Sequence, residues 1–283
     1  MAIAYWCGGD SGNETDIDVA ANYVDAANGT NPFGSVPDSD DHVIFQSLAL
    51  SNVSHNCTIN ANIEFYSIKT EAGSTLTGNA SYTITVVNET SDYATKIDGT
   101  IASTPNFTIN TTVDTRVDVS DGGAAGTVTF LGTGNKQLRG TPTITNFIIN
   151  DASSDNDTSG AVTITGDFTI TAGIFDTGAD HDLTVGGDTL IDVNGTLTLN
   201  DSTSVFTGTG GGSWTLGIKG TLNGGTGNCT TRSFGTYANS DVVVPRTLTC
   251  TGNDSGYTFN TDQGLGTGSW DSNLSTVTIT ATS

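Results

Sequence analysis

Acidic side chains dominate the chemistry this chain could perform. Of its 30 acidic residues only four are Glu (Glu14, Glu64, Glu71, Glu89), which leaves 26 Asp against eight Lys and Arg and a net charge of −22. Hydrolysis of a glycosidic bond needs two carboxyls about 5–9.5 Å apart, one of them held protonated by its surroundings. Asp176, Asp180, Asp182 and Asp188 are candidates by density alone, and 26 Asp produce such a density by chance. A lyase would need a Lys or Arg base beside the carboxylates of its substrate. The basic residues are scattered singly, and a surface of this sign repels anionic polysaccharide. His42, His55 and His181 lie far apart, with no Ser/His/Asp order and no nucleophile elbow. The Gly-rich stretches at 132–134 and 208–212 lack the helix and the Lys-Ser/Thr pair of a phosphate loop. The chain reads as non-enzymatic, with no cofactor required.

Calcium is the one cofactor the sequence offers. Asp155, Asp157 and Ser159 alternate, and Gly160 stands sixth, as in the first half of a calcium loop. The bidentate Glu expected at the twelfth position is Gly166, so a solvated turn is the alternative. The four cysteines show no Cys-x-x-Cys and no Cys/His ligand spacing, which removes zinc. Cys229 and Cys250 stand 21 residues apart and are a candidate disulfide, with two buried free thiols as the alternative. Trp214, Tyr237, Tyr257 and Trp270 are the aromatics to consider for contact with glycans. Nucleic acid is excluded as a partner, because phosphate neutralisation needs clustered Lys and Arg. No apolar run approaches 18 residues, so no membrane insertion by a helix is expected.

The elements that would carry these residues are strands. Asp suits turns and caps, while Glu, Lys and Arg suit helix interiors, so the acid imbalance points to an all-β chain with many turns. The apolar fraction of 35% predicts a thin, repetitive core. Three segments align: Val162-Thr-Ile-Thr-Gly-Asp-Phe-Thr-Ile170, Leu183-Thr-Val-Gly-Gly-Asp-Thr-Leu-Ile191 and Trp214-Thr-Leu-Gly-Ile-Lys-Gly-Thr-Leu222. The first two start 21 residues apart and the third starts 31 after the second, which a fixed unit with one insertion of about ten explains. Short alternating strands joined by Gly and Asp/Asn breaks at this period predict a parallel β-helix, or β-solenoid, with stacked coils. Antiparallel β-sandwich domains are the alternative. Residues 1–65 read as an amino-terminal cap or attachment module and residues 66–283 as solenoid repeats ending on a capping strand. Ile17, Ala20, Ala21 and Val24 stand at helical spacing and predict one short helix between Asp16 and Ala27. The 14 Asn-x-Ser/Thr triplets are read as strand chemistry, not as glycan acceptors.

Tyr5-Trp-Cys-Gly-Gly9, followed by Val36-Pro-Asp-Ser-Asp-Asp-His-Val-Ile-Phe45, resembles the opening of β-helical virion proteins of tailed bacteriophages. Those proteins begin Tyr-Trp-Val-Gly-Gly and then Val-Pro-x-x-x-Asp-Asp-Val-Ile-Phe. Here Cys7 replaces the usual Val, His42 is inserted, and the Trp-rich stretch between the two motifs is missing. The match covers residues 1 to about 65, and the remainder agrees in style. From the residues themselves, Tyr5, Trp6, Val43 and Phe45 should pack the cap. The resemblance implies a non-enzymatic structural protein on the virion surface, a capsid decoration or head fibre. A tail fibre or tailspike binding host glycans is the alternative, and a depolymerase or a secreted adhesin stands further off. The expected partners are other virion proteins and further copies of this chain as a homo-oligomer. The amino terminus lacks the basic and apolar regions of a secretory signal, so synthesis in the host cytoplasm and release by lysis are expected.

Overall fold

The computed structural model describes residues 2–8, 15–27, 29–46, 56–79, 81–87, 93–119, 123–208, 214–252, 258–261, 268–272 and 275–280. The chain divides into two compact units, Met1–Thr143 and Ile144–Ser283. Both are β-solenoids of stacked parallel strands, about nine coils in all. Each coil is a set of short strands with bends between them, and each strand pairs with the corresponding strand of the next coil. Parallel pairing in register places like positions above one another, so the fold is best described by its inward columns.

In the first unit one column runs Ala4, Val43, Ile68, Thr95, Val117 and Leu138. A second face contributes Ile63, Ile84, Phe107 and Val128, with Phe65, Val86, Ile109 and Phe130 beside them. A third, three-stranded face carries Cys57, Leu76 and Ile101. In the second unit one column runs Val162, Leu183, Ser204, Cys229, Leu248 and Val277. Next to it stand Ile164, Val185, Phe206, Thr231, Cys250 and Ile279. The other faces add Phe147, Phe168, Thr189, Leu216, Phe234 and Phe259, and then Phe175, Leu197, Leu222, Val242 and Trp270. Alternation along each strand turns the intervening Thr, Asn and Asp outward. Some inward positions are Thr or Ser: Thr231 donates to the Ser233 carbonyl at 2.8 Å and Ser202 pairs with Ser204 at 3.0 Å, whereas the buried hydroxyls of Thr95 and Thr189 have no hydrogen-bond partner among the described residues. Inward hydroxyls of this kind let a solenoid close with only 35% apolar residues.

The coil length is marked by a ladder of side-chain acceptors at the bends. The carboxamides of Asn62 and Asn106 and the carboxylate of Asp114 each accept the backbone N–H found 21 residues later, in Thr83, Thr127 and Asn135. In the second unit Asn146 accepts from Asp167, Asp167 from Asp188, and Asp182 from Thr203, each at 2.9 Å and again 21 residues on. A bend interrupts the backbone ladder and would leave an N–H unpaired; Asp and Asn are short enough to reach it from the coil before. The ladder gives three of the 26 Asp residues, Asp114, Asp167 and Asp182, a structural use.

Three expectations change. The helix between Asp16 and Ala27 is a single 3-10 turn, Ala20–Asn22, leading into a strand at Tyr23–Val24. Tyr23 lies fully buried and donates its hydroxyl to the Ile17 carbonyl at 2.6 Å, so packing against the first coil outweighs a helical spacing of only four residues. The antiparallel sandwich gives way to parallel ladders, because the one antiparallel strand pair described joins Ile3–Trp6 to Tyr23–Val24. The third repeat is out of phase. Leu183 is followed in its column by Ser204, and Leu216 stands over Thr189, so the insertion lies in the bend between Phe206 and Leu216. Residues 209–213 of that bend lie outside the described residues.

Candidate functional site

Cys229 and Cys250 are both free thiols. Cys229 stacks on Leu248, and Cys250 stacks on Thr231. The coils at that point advance by 19 residues, so the two cysteines fall in neighbouring columns, offset by two positions. Strand geometry puts such diagonal Cα atoms roughly 8 Å apart, beyond the ~7 Å that a disulfide can bridge. The equal spacing of the cysteines and the repeat therefore corrects to two buried thiols. Burial, and then the nearby Cys250, push the Cys229 thiol well up, and burial pushes Cys250 to about 11.

Asp155 and Asp157 lie on the long strand Thr143–Thr158, not in a loop. Alternation turns both away from the buried Ser154, Asn156 and Thr158. Asp157 stands in register with Asp176 of the next coil, and Ser159 sits at the bend beyond the strand end. Partial burial, and then the charge of Asp176, raise the Asp155 carboxyl above its ordinary value. The tight backbone turn of a calcium loop is replaced by extended chain, and among the described residues no three His, Cys, Asp or Glu side chains group closely enough to hold a metal. Two of the other Asp candidates serve the bends: Asp176 accepts from the Gly178 N–H at 2.7 Å and from the Asn200 carboxamide, and Asp182 from Thr203. His42 packs edge-on against Tyr66 with ring centres 4.8 Å apart, while His55 lies outside the described residues.

Of the cap residues, Trp6, Val43 and Phe45 are buried. Trp6 meets Tyr23 edge-on at 5.3 Å and lies 5.5 Å from Phe45. Tyr5 is the exception: strand alternation turns it to the opposite face, where it stands beside Ile44 and Val24 and stays partly exposed. The two halves of the amino-terminal motif are thus adjacent parallel strands, with Tyr5 on Ile44 and Trp6 on Phe45.

The four aromatics separate. Tyr257 lies outside the described residues. Trp270 occupies an inward column above Val242 and packs edge-on against Phe234 and Phe259 at 6.1 and 6.0 Å. It is 42% exposed because it belongs to the last described coil, as do the inward-column residues Val277 and Ile279. Trp214 and Tyr237 do come together, on the outer face of the second unit. They line a groove of about 240 Å³ with Asp167, Asp188, Leu190 and Lys219. Gly217 lies on its floor, in register with Gly235 of the next coil, which the Trp214 indole covers. A Cβ on Gly235 would stand 2.1 Å from Cδ2 of Trp214, so the indole lies flat on that glycine. A Cβ on Gly217 would stand 3.6 Å from the Trp214 Cβ and 3.6 Å from Cε2 of Tyr237, both ordinary contacts, so the groove has room above Gly217. Lys219 reaches over the Tyr237 ring, 5.5 Å from its centre, and pairs with Asp192 at 3.7 Å. Sequence reasoning missed Asp167, Leu190, Lys219 and the two glycines. The available signal was Gly in the outward position of two successive strands, Leu216-Gly-Ile218 and Phe234-Gly-Thr236.

The fold and this geometry define a β-solenoid protein with a shallow aromatic groove on one outer face. No protein family, curated protein or solved structure matches the chain.

Proposed function

We propose that the protein is a non-enzymatic structural protein on the outside of a tailed-bacteriophage virion, as a capsid decoration or head fibre. The observation that carries the reading is the first coil. The two motif halves that resemble such virion proteins, some 35 residues apart in the chain, pair strand on strand and share a buried aromatic cluster of Trp6, Tyr23 and Phe45. The motif therefore codes a folding unit, which is what a shared structural module should do. A solenoid suits the role because every coil is held to its neighbours by backbone ladders and columns. Its acidic outer surface keeps unassembled copies soluble and apart. Adhesion to neighbouring virion subunits is the work assigned to it, with synthesis in the host cytoplasm and release by lysis.

Cryo-electron microscopy of purified particles, with antibody labelling of this chain, tests the proposal. Density on the capsid lattice is the expected result. Density at the tail tip would replace it with a receptor-binding role, and absence of the chain from particles would overturn both.

A further inference from the structure

We infer that the groove between Trp214 and Tyr237 binds a neutral oligosaccharide, a role that goes beyond virion adhesion and does not depend on it. The sugar-facing elements are of two kinds. An indole laid flat on Gly235 presents a broad apolar plate, and Tyr237 presents a second ring beside Gly217 in the same groove. Rigid aromatic plates of this sort take up the C–H face of a pyranose, which is apolar, while the sugar's hydroxyls point to the rim. The rim here carries acceptors. Asp167 and Asp188 are successive members of the bend ladder, about 4.8 Å apart along the stack by strand spacing. Asp167 uses Oδ1 to hold the Asp188 N–H at 2.9 Å, which fixes its orientation and leaves Oδ2 to accept from a hydroxyl. Lys219 supplies a donor at the opposite side.

Charge decides the class of glycan. Two carboxylates and one ammonium line the groove, on a chain of net charge −22. A sugar acid would meet repulsion from both the rim and the whole field, whereas a neutral sugar donates hydroxyl protons to carboxylates without that cost. The glycine floor supports a binding role. The outward positions in this row on neighbouring strands carry Thr169, Leu190 and Asn260, and a side chain at 217 would extend into the groove.

Tryptophan fluorescence of the full chain reads the site once Trp270 is changed to Phe, because Trp6 is buried and Trp214 lines the groove. The probes are linear gluco-, galacto- and manno-oligosaccharides at millimolar concentration, with oligogalacturonate as the anionic counterpart. A saturable change in emission with at least one neutral chain, and none with oligogalacturonate, is expected. Gly217→Leu should abolish that change while circular dichroism stays as in the parent, since its Cβ meets only ordinary contacts and the rest of the side chain occupies the groove. Asp167→Asn, which keeps the ladder acceptor, should weaken binding without loss of fold. No response to any neutral chain, tighter binding of oligogalacturonate, or binding unaltered by Gly217→Leu would each overturn the inference. None of these outcomes bears on where the chain sits in a particle.

Discussion

Replacing Cys229 and Cys250 together by Ala should make the second unit less sensitive to alkali. Both thiols are free, 1% and 0% exposed, and held in adjacent inward columns. An unfolded cysteine ionises near its ordinary value of 9.0, while Cys250 keeps its proton to about 11 and Cys229 keeps it further still. A folded-state value raised in this way contributes stability that is fully present below pH 9 and is lost as pH climbs towards the folded value. Each such thiol removes about 1.4 kcal/mol per pH unit, so the pair removes about 2.7 kcal/mol per unit between pH 9 and about 11. The double variant starts lower at neutral pH, because each truncation leaves a small void at a cost of about 1 kcal/mol. It should then lose stability more gently, and the two curves should converge and cross. Urea unfolding at about pH 8 and about pH 10.5 measures the difference. Cys57 and Tyr23, also raised by burial, are present in both proteins and cancel. Thiol labelling of the native protein gives an independent reading: the half-buried Cys7 should react quickly and the other three only on unfolding. Parallel pH curves for parent and variant, or two thiols missing from the denatured unreduced protein, would refute the reasoning.

Asp167→Asn should leave stability within about 0.5 kcal/mol, because the carboxamide oxygen still accepts the Asp188 N–H, whereas Asp167→Ala should cost about 1 kcal/mol; chemical denaturation separates the two. Gly235→Ala should destabilise by about 1–3 kcal/mol and red-shift Trp emission, since its Cβ must displace the Trp214 indole, while Gly217→Ala should be close to neutral. Phe168→Ala should cost about 3–5 kcal/mol, having lost a stack on Phe147 at 5.4 Å and an edge contact with Phe175 at 5.5 Å. Val193→Ala, at a site 65% exposed, should change stability by less than about 0.5 kcal/mol in chemical denaturation.

The sequence by itself determined whatever depends on neighbours along the chain. Alternation in segments such as Gly195-Thr-Leu-Thr-Leu-Asn200 assigns inward and outward faces without any knowledge of the partner strand, because the pleat has period two. The step of 21 residues from Val162 to Leu183 was legible for a related reason, since an uninterrupted coil repeats its bends and their Asx acceptors at a fixed interval. What only the tertiary structure decided is which residues of different coils lie side by side. That register depends on how many residues each bend absorbs, and bends tolerate insertions with little energetic signature in sequence. Four cases show the consequence. The bend between Phe206 and Leu216 put the third repeat out of phase, and a 19-residue coil moved Cys250 onto Thr231 instead of Cys229. Trp270, exposed enough to resemble a surface aromatic, proved to be the last member of an inward column. Trp214, Tyr237 and Asp167, up to 70 residues apart, share one groove because a stack of coils places distant residues a few strand spacings from each other.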